Sequence, residues 1–114
     1  MCSQHEVELI TSKVVQAAKD SLGNKLDKVI LYGSYARGDY DDDSDIDIMV
    51  LADIPLENQS VERKKIRMLL DCIDLEYDVF LSLSVNDSTT FNKYINDLPF
   101  FMNVLKEGVI LSAQ

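Results

Sequence analysis

The sequence predicts an α/β domain spanning residues 1–114, with a small mixed β-sheet flanked by helices. Three observations carry this. Apolar residues recur at helical spacing over the first twenty positions and again over 57–73; a continuous apolar run, Val29 to Tyr32, and an alternating stretch, Asp45 to Leu51, read as strands; and the two kinds of segment interleave along the chain. At 114 residues, with 46% apolar and 27% charged side chains, the chain has enough apolar surface for one core and too little length for a second of similar size.

The elements follow in order. Ser3 and Glu6 form a capping-box pattern, and Val7, Ile10, Val14, Ala17 and Ala18 continue at helical spacing until Gly23 stops the helix. LDKVILYGS then carries a strand apolar on both faces, as a central strand is. After the polar stretch SYARGDYDDDS, the segment DIDIMVL alternates, with Asp45, Asp47, Met49 and Leu51 on one face and Ile46, Ile48 and Val50 on the other. Pro55 closes that strand. An amphipathic helix follows, with Ile66, Leu69, Leu70 and Ile73 on its apolar side and Arg63, Lys64, Lys65 and Arg67 as its solvated face.

LEYDVFLSL reads as a third strand with Glu76, Asp78 and Phe80 on one face. Asn86, Asp87 and Ser88 offer N-caps for a helix to about Asn96, Pro99 opens another that runs to Glu107, and VIL after Gly108 reads as a short edge strand. About a dozen residues join the first two strands, a tight length for a parallel crossover, which leaves their relative direction open.

Eleven basic residues face twenty acidic ones, for a formal charge of −9. That balance disfavours direct nucleic-acid binding through a phosphate-contacting surface. Asp39, Asp41, Asp42, Asp43, Asp45 and Asp47 fall within nine residues, and without these six the chain would carry −3. Cys2 and Cys72 have no metal-ligand or disulfide-scaffold spacing. Neither a signal peptide nor a membrane-length apolar run is present, so a cytoplasmic protein is expected. His5, the single histidine, reads as surface decoration.

The second strand conflicts with its own propensities. Two ionised carboxylates at alternate positions stand about 7 Å apart on one face and repel by about 2 kcal/mol at an effective dielectric of 20. Aspartate is also a poor strand former, and such local conflict marks functional sites. A divalent cation reconciles it: Mg²⁺ takes oxygen ligands from one or two carboxylates and completes its shell with water and substrate phosphate. Upstream, Gly33 lets a phosphate approach the backbone, Ser34 adds a hydroxyl and an amide, and the fork of Arg37 suits a phosphate. Gly33-Ser34, ten residues, Asp45-x-Asp47 and then Asp78 form the informative string.

GSYARGDYDDDSDIDIMV resembles the nucleotidyltransferase superfamily that includes DNA polymerase β, and most closely its minimal, single-domain prokaryotic branch, the MNT proteins. The resemblance covers the chain from about residue 5 to 111. It implies the polymerase β-like fold, with the phosphate-binding pair on Gly33 and Ser34, metal-binding aspartates on Asp45 and Asp47, and the third carboxylate on Asp78. It further implies two Mg²⁺ ions, ATP as substrate, and AMP transfer to a tyrosine of a partner HEPN ribonuclease toxin, in a hetero-oligomer where this chain is the antitoxin. An aminoglycoside-type small-molecule transferase and a non-catalytic toxin-binding antitoxin are the alternatives. The acidic run Asp39, Asp41, Asp42 and Asp43 departs from the small, polar or basic loop usual in that branch and reads best as a solvated turn. Tyr35 and Tyr40 read as turn tyrosines covering the sheet edge.

Overall fold

The apolar stripe of the first helix governs how the rest packs. In the computed structural model, which describes residues 4–41, 43–70, 73–77 and 79–113, helix α1 (Gln4–Leu22) buries Val7, Ile10, Val14, Ala17, Ala18 and Leu22 along one side. It ends at Gly23, whose φ of +56° lies in the left-handed region that glycine adopts without strain. Ser3, Cys2, Asp42, Asp71, Cys72 and Asp78 lie outside the described residues.

Strand β1 (Leu26–Tyr32) and strand β2 (Ile46–Ala52) pair antiparallel, with Val29 opposite Val50 and Tyr32 opposite Asp47. This settles the direction that the sequence left open. No crossover is needed, and the intervening residues make one helical turn, α2 (Ser34–Arg37), and a polar loop. Helix α3 (Gln59–Leu69) and the turn α4 (Ile73–Glu76) then carry the chain to strand β3 (Leu81–Asp87), parallel to β2. Helices α5 (Ser88–Tyr94) and α6 (Pro99–Glu107) precede strand β4 (Val109–Ala113), antiparallel to β1. The sheet order is β3-β2-β1-β4, a small mixed sheet of the expected class.

The sheet has two unlike faces. On one, Val29, Leu31, Ile46, Ile48, Val50, Leu81, Leu83 and Val85 pack against α1 and against Ile66 of α3 in the larger core. On the other, Ile30, Met49 and Leu51 meet Phe91 of α5 and Val104 of α6 in a smaller cluster, where Phe91 and Phe101 lie 4.9 Å apart. Among the described residues, no helix is long and apolar enough to cross a membrane.

Three expectations are corrected. The third strand begins at Leu81 rather than near Leu75, because residues 73–76 close a helical turn in which Tyr77 N–H donates to the Ile73 carbonyl. Asp74 then directs entry to the strand: its carboxylate accepts from the Leu81 amide and from Arg67, at 3.4 and 2.7 Å. Glu76 consequently leaves the supposed site face and pairs with Lys13 of α1 at 3.5 Å. Leu69, expected on the buried side of its helix, is 58% exposed, because α3 ends there and the backbone turns.

The basic run of α3 is only partly a solvated face. Lys64 and Lys65 are exposed, but Arg63 Nε donates to the Leu83 carbonyl of β3 at 2.9 Å. Gln59 accepts the Asp87 amide at 2.7 Å. Two side chains of α3 therefore satisfy backbone groups of the edge strand. Asp87 caps α5 as expected, accepting from the amide and hydroxyl of Thr90.

Candidate active site

The C-terminal end of β1 and the N-terminal ends of β2 and β3 meet at one end of the sheet, on the face that α5 and α6 only partly cover. Gly33 leaves β1 there with φ +76° and ψ −156°. Two constraints demand glycine: that conformation is strained for any L side chain, and a Cβ at this position would collide with Oδ2 of Asp47. The loop backbone is thus pressed directly against a site carboxylate.

The single turn α2 starts at Ser34. Ala36 and Arg37 both donate to the Gly33 carbonyl at 3.1 Å, and Gly38, at φ +87°, ends the turn. The first amides of a helical turn have no acceptor within it, which leaves those beside Gly33 for an incoming ligand. Tyr35 is buried against the larger core and stacks on Tyr40 at 4.2 Å, so both serve as packing, as expected.

Asp45 lies just before β2 and is exposed; Asp47, within the strand, is half-buried. Across the sheet Asp47 has Tyr32 of β1 on one side and Ser82 of β3 on the other. Burial pushes its carboxyl above the ordinary value and the Asp45 charge adds to this, while the Ser82 hydroxyl and the Arg37 guanidinium pull the other way. The phenol of Tyr32 is likewise raised, chiefly by burial, with the Asp47 charge adding to it.

Arg37 bridges two carboxylates at the lip of the site. Nε donates to Asp39 and Nη1 to Glu107 of α6, each at 3.1 Å. The acidic loop is accounted for in part by these contacts. Asp39 orients Arg37, and Asp41 builds a turn by accepting from the Asp43 amide at 2.9 Å and from the Ser44 hydroxyl at 3.2 Å.

Gly33, Ser34, Arg37, Asp45 and Asp47 are therefore brought to one end of the sheet, while Asp78 lies outside the described residues. Among the described residues no third His, Cys, Asp or Glu completes a metal-binding group with this pair. The donor set nonetheless suits Mg²⁺: two carboxylates, one of them raised by burial and then by its neighbour's charge, with the loop backbone at Gly33 held close against it.

Sequence reading missed Ser82, Tyr32 and Glu107. Alternation carried past Phe80 places Ser82 on the Asp47 face, a signal available in the sequence, whereas the Glu107 contact depends on how α6 docks.

Comparison with known proteins agrees with this geometry. Residues 11–111 match the family model described as a nucleotidyltransferase domain. A Methanocaldococcus jannaschii protein named as a candidate protein adenylyltransferase, MJ0604, is 36% identical over 104 residues, 91% of this chain and 96% of that protein. Among solved structures, a candidate nucleotidyltransferase of Sulfolobus solfataricus superposes with a TM-score of 0.63 at 22% identity, covering 96% of this chain and 84% of the other. A toxin-antitoxin structure with AMP-PNP gives 0.58 at 24% identity, with 91% and 73% covered. A Shewanella oneidensis complex of a tri-AMPylated HEPN toxin with its MNT antitoxin gives 0.53 at 21%, with 94% and 72% covered. These three share the fold of this chain.

Proposed function

The chain belongs to the nucleotidyltransferase domain family, and from that premise we propose that it transfers AMP from ATP to a tyrosine hydroxyl of a HEPN-type toxin, which it binds and neutralises as an antitoxin in the cytoplasm. The observation that supports this reading most is the contact of Gly33 with Asp47, which presses the backbone of the Gly33-Ser34 loop directly against a carboxylate of the Asp45-Asp47 pair. Kinship to a protein named as an adenylyltransferase supports a protein acceptor, and the AMP-PNP and AMPylated-toxin neighbours support ATP and a HEPN partner. The net charge of −9 also supports a protein acceptor over a nucleic acid.

In the proposed reaction the acceptor oxygen attacks the α-phosphorus of ATP. The new bond is oxygen to phosphorus, the bond to the bridging oxygen of the β-phosphate breaks, pyrophosphate leaves with that electron pair, and the hydroxyl proton passes to water. Asp45 and Asp47 would hold Mg²⁺, with Asp78 as the third carboxylate of a two-ion site. When bound, the ions would supply charge neutralisation at the attacking and leaving oxygens. Gly33 and Ser34 would seat the phosphates, and Arg37, already oriented by Asp39 and Glu107, would offer its remaining donors to them. Ser82 would favour the ionised form of the Asp47 carboxylate against the effect of its burial.

The test is incubation of this chain with labelled ATP, Mg²⁺ and a HEPN protein from the same genome that binds it. The toxin should acquire the label on tyrosine. A toxin that binds this chain yet stays unlabelled would refute the catalytic reading.

A further inference from the structure

A cavity of about 190 Å³ opens between the end of β1, the turn α2 and α6, lined by Tyr32, Gly33, Arg37, Phe100, Asn103 and Glu107 over Val104. We propose that this cavity seats the nucleoside base and that Asn103 selects adenine over guanine in it. The proposal rests on the nucleotidyl-transfer reading of the adjoining site and adds to it the place and identity of the base.

The cavity has two chemically different ends. Phe100, Asn103 and Glu107 are spaced i, i+3 and i+7, which puts them on one side of α6. With a rise of 1.5 Å per residue, Phe100 and Glu107 are separated by about 10 Å along the helix. At the Glu107 end the carboxylate is tied to Arg37, next to the Gly33-Ser34 phosphate seat. At the other end Phe100 is half exposed and meets Tyr32 edge-to-face at 5.6 Å and 81°. An aromatic platform about one nucleoside away from a phosphate seat is the layout that a nucleotide lying along α6 requires.

Asn103 lies between these ends and has no side-chain partner among the described residues. Its carboxamide can accept from the exocyclic N6–H of adenine while donating to N7. Guanine presents acceptors at both O6 and N7, so the amide oxygen would face a second lone pair. Sheet order agrees with this placement. Strand β1, from which the loop leaves and which α6 contacts, lies on the opposite side of β2 from β3, which leaves the β3 side for the acceptor.

Calorimetric titration with non-hydrolysable ATP and GTP analogues in Mg²⁺ tests this without relying on turnover. The unmodified chain should bind the ATP analogue roughly 5- to 100-fold more tightly. Asn103→Leu, at an exposed position, should abolish most of that preference while leaving the melting temperature unchanged. Phe100→Ala should weaken both analogues by roughly fivefold or more. Equal binding of the two analogues by the unmodified chain, or full retention of the preference in Asn103→Leu, would overturn the assignment. So would a Phe100→Ala variant that loses affinity for the toxin alone, since the cavity would then receive the acceptor. If the unmodified chain bound neither analogue, the nucleotidyl-transfer reading would fall first and the base pocket with it.

Discussion

The two faces of the sheet are built from the same strands and do different things. On the α1 and α3 side, Ile46, Ile48 and Val50 of β2 are fully buried in a continuous apolar layer. On the α5 and α6 side, β2 presents Asp47, Met49 and Leu51, and the cover stops at Met49. One seven-residue strand thus contributes both to the main core and to the site, and its alternation keeps the two apart. Burial on the first face holds Asp47 in place on the second, so the carboxylate bears burial and repulsion that a freely moving side chain would relieve.

If that division holds, substitutions on the two faces should separate activity from stability. Asp45→Asn with Asp47→Asn should lower the proposed AMP transfer roughly 10³-fold or more, with the circular dichroism spectrum retained. The opposite face should show the inverse. Ile48→Ala should cost about 2–5 kcal/mol by urea unfolding, while the rate per folded molecule stays near normal. A large fall in that rate would show that the faces are coupled.

Gly33→Ala joins the two regions, because its Cβ needs the space of the Asp47 carboxylate and its φ is unfavourable. It should destabilise by about 1–3 kcal/mol and reduce transfer at least about tenfold, assayed under conditions where the variant remains folded. The smallest effect has the opposite sign. With EDTA present, Asp47→Asn should stabilise the chain by about 1 kcal/mol at neutral pH, since it removes a half-buried charge repelled by exposed, solvent-screened Asp45. The raised carboxyl pKa has the matching sign. The folded state holds that proton more tightly, so the metal-free protein loses stability as pH rises through the raised value, and the asparagine variant should lose less. Thermal melts across pH would show it.

Much of this division was readable in the sequence. The alternation of Asp45 to Leu51 separated the two faces of β2, and Gly33-Ser34 with Asp45-x-Asp47 picked out residues that the fold gathers at one end of the sheet. The order of helices and strands was also legible, since apolar period and capping residues such as Asp87 and Pro99 are local signals. What was misread depends on distant partners. Glu76 alternates with its neighbours as a strand residue would, yet helical closure at Ile73 and attraction to Lys13 decide its place. Leu69 has the right spacing for burial but lies where α3 stops. Ser82 becomes a site residue only through the parallel register of β3 with β2, and Glu107 only through the docking of α6 on Arg37.

The contacts that α3 makes with β3 reach beyond this chain. Arg63 occupies the carbonyl of Leu83 and Gln59 the amide of Asp87, so backbone groups that an incoming strand would need are already satisfied along that margin of the sheet. The opposite margin is β4. A ribbon of copies joined strand to strand requires two receptive margins in every molecule, and this one is blocked on one side. Growth by strand addition would therefore end at a pair, and a partner approaching the β3 side must be held by its side chains rather than by extending the sheet.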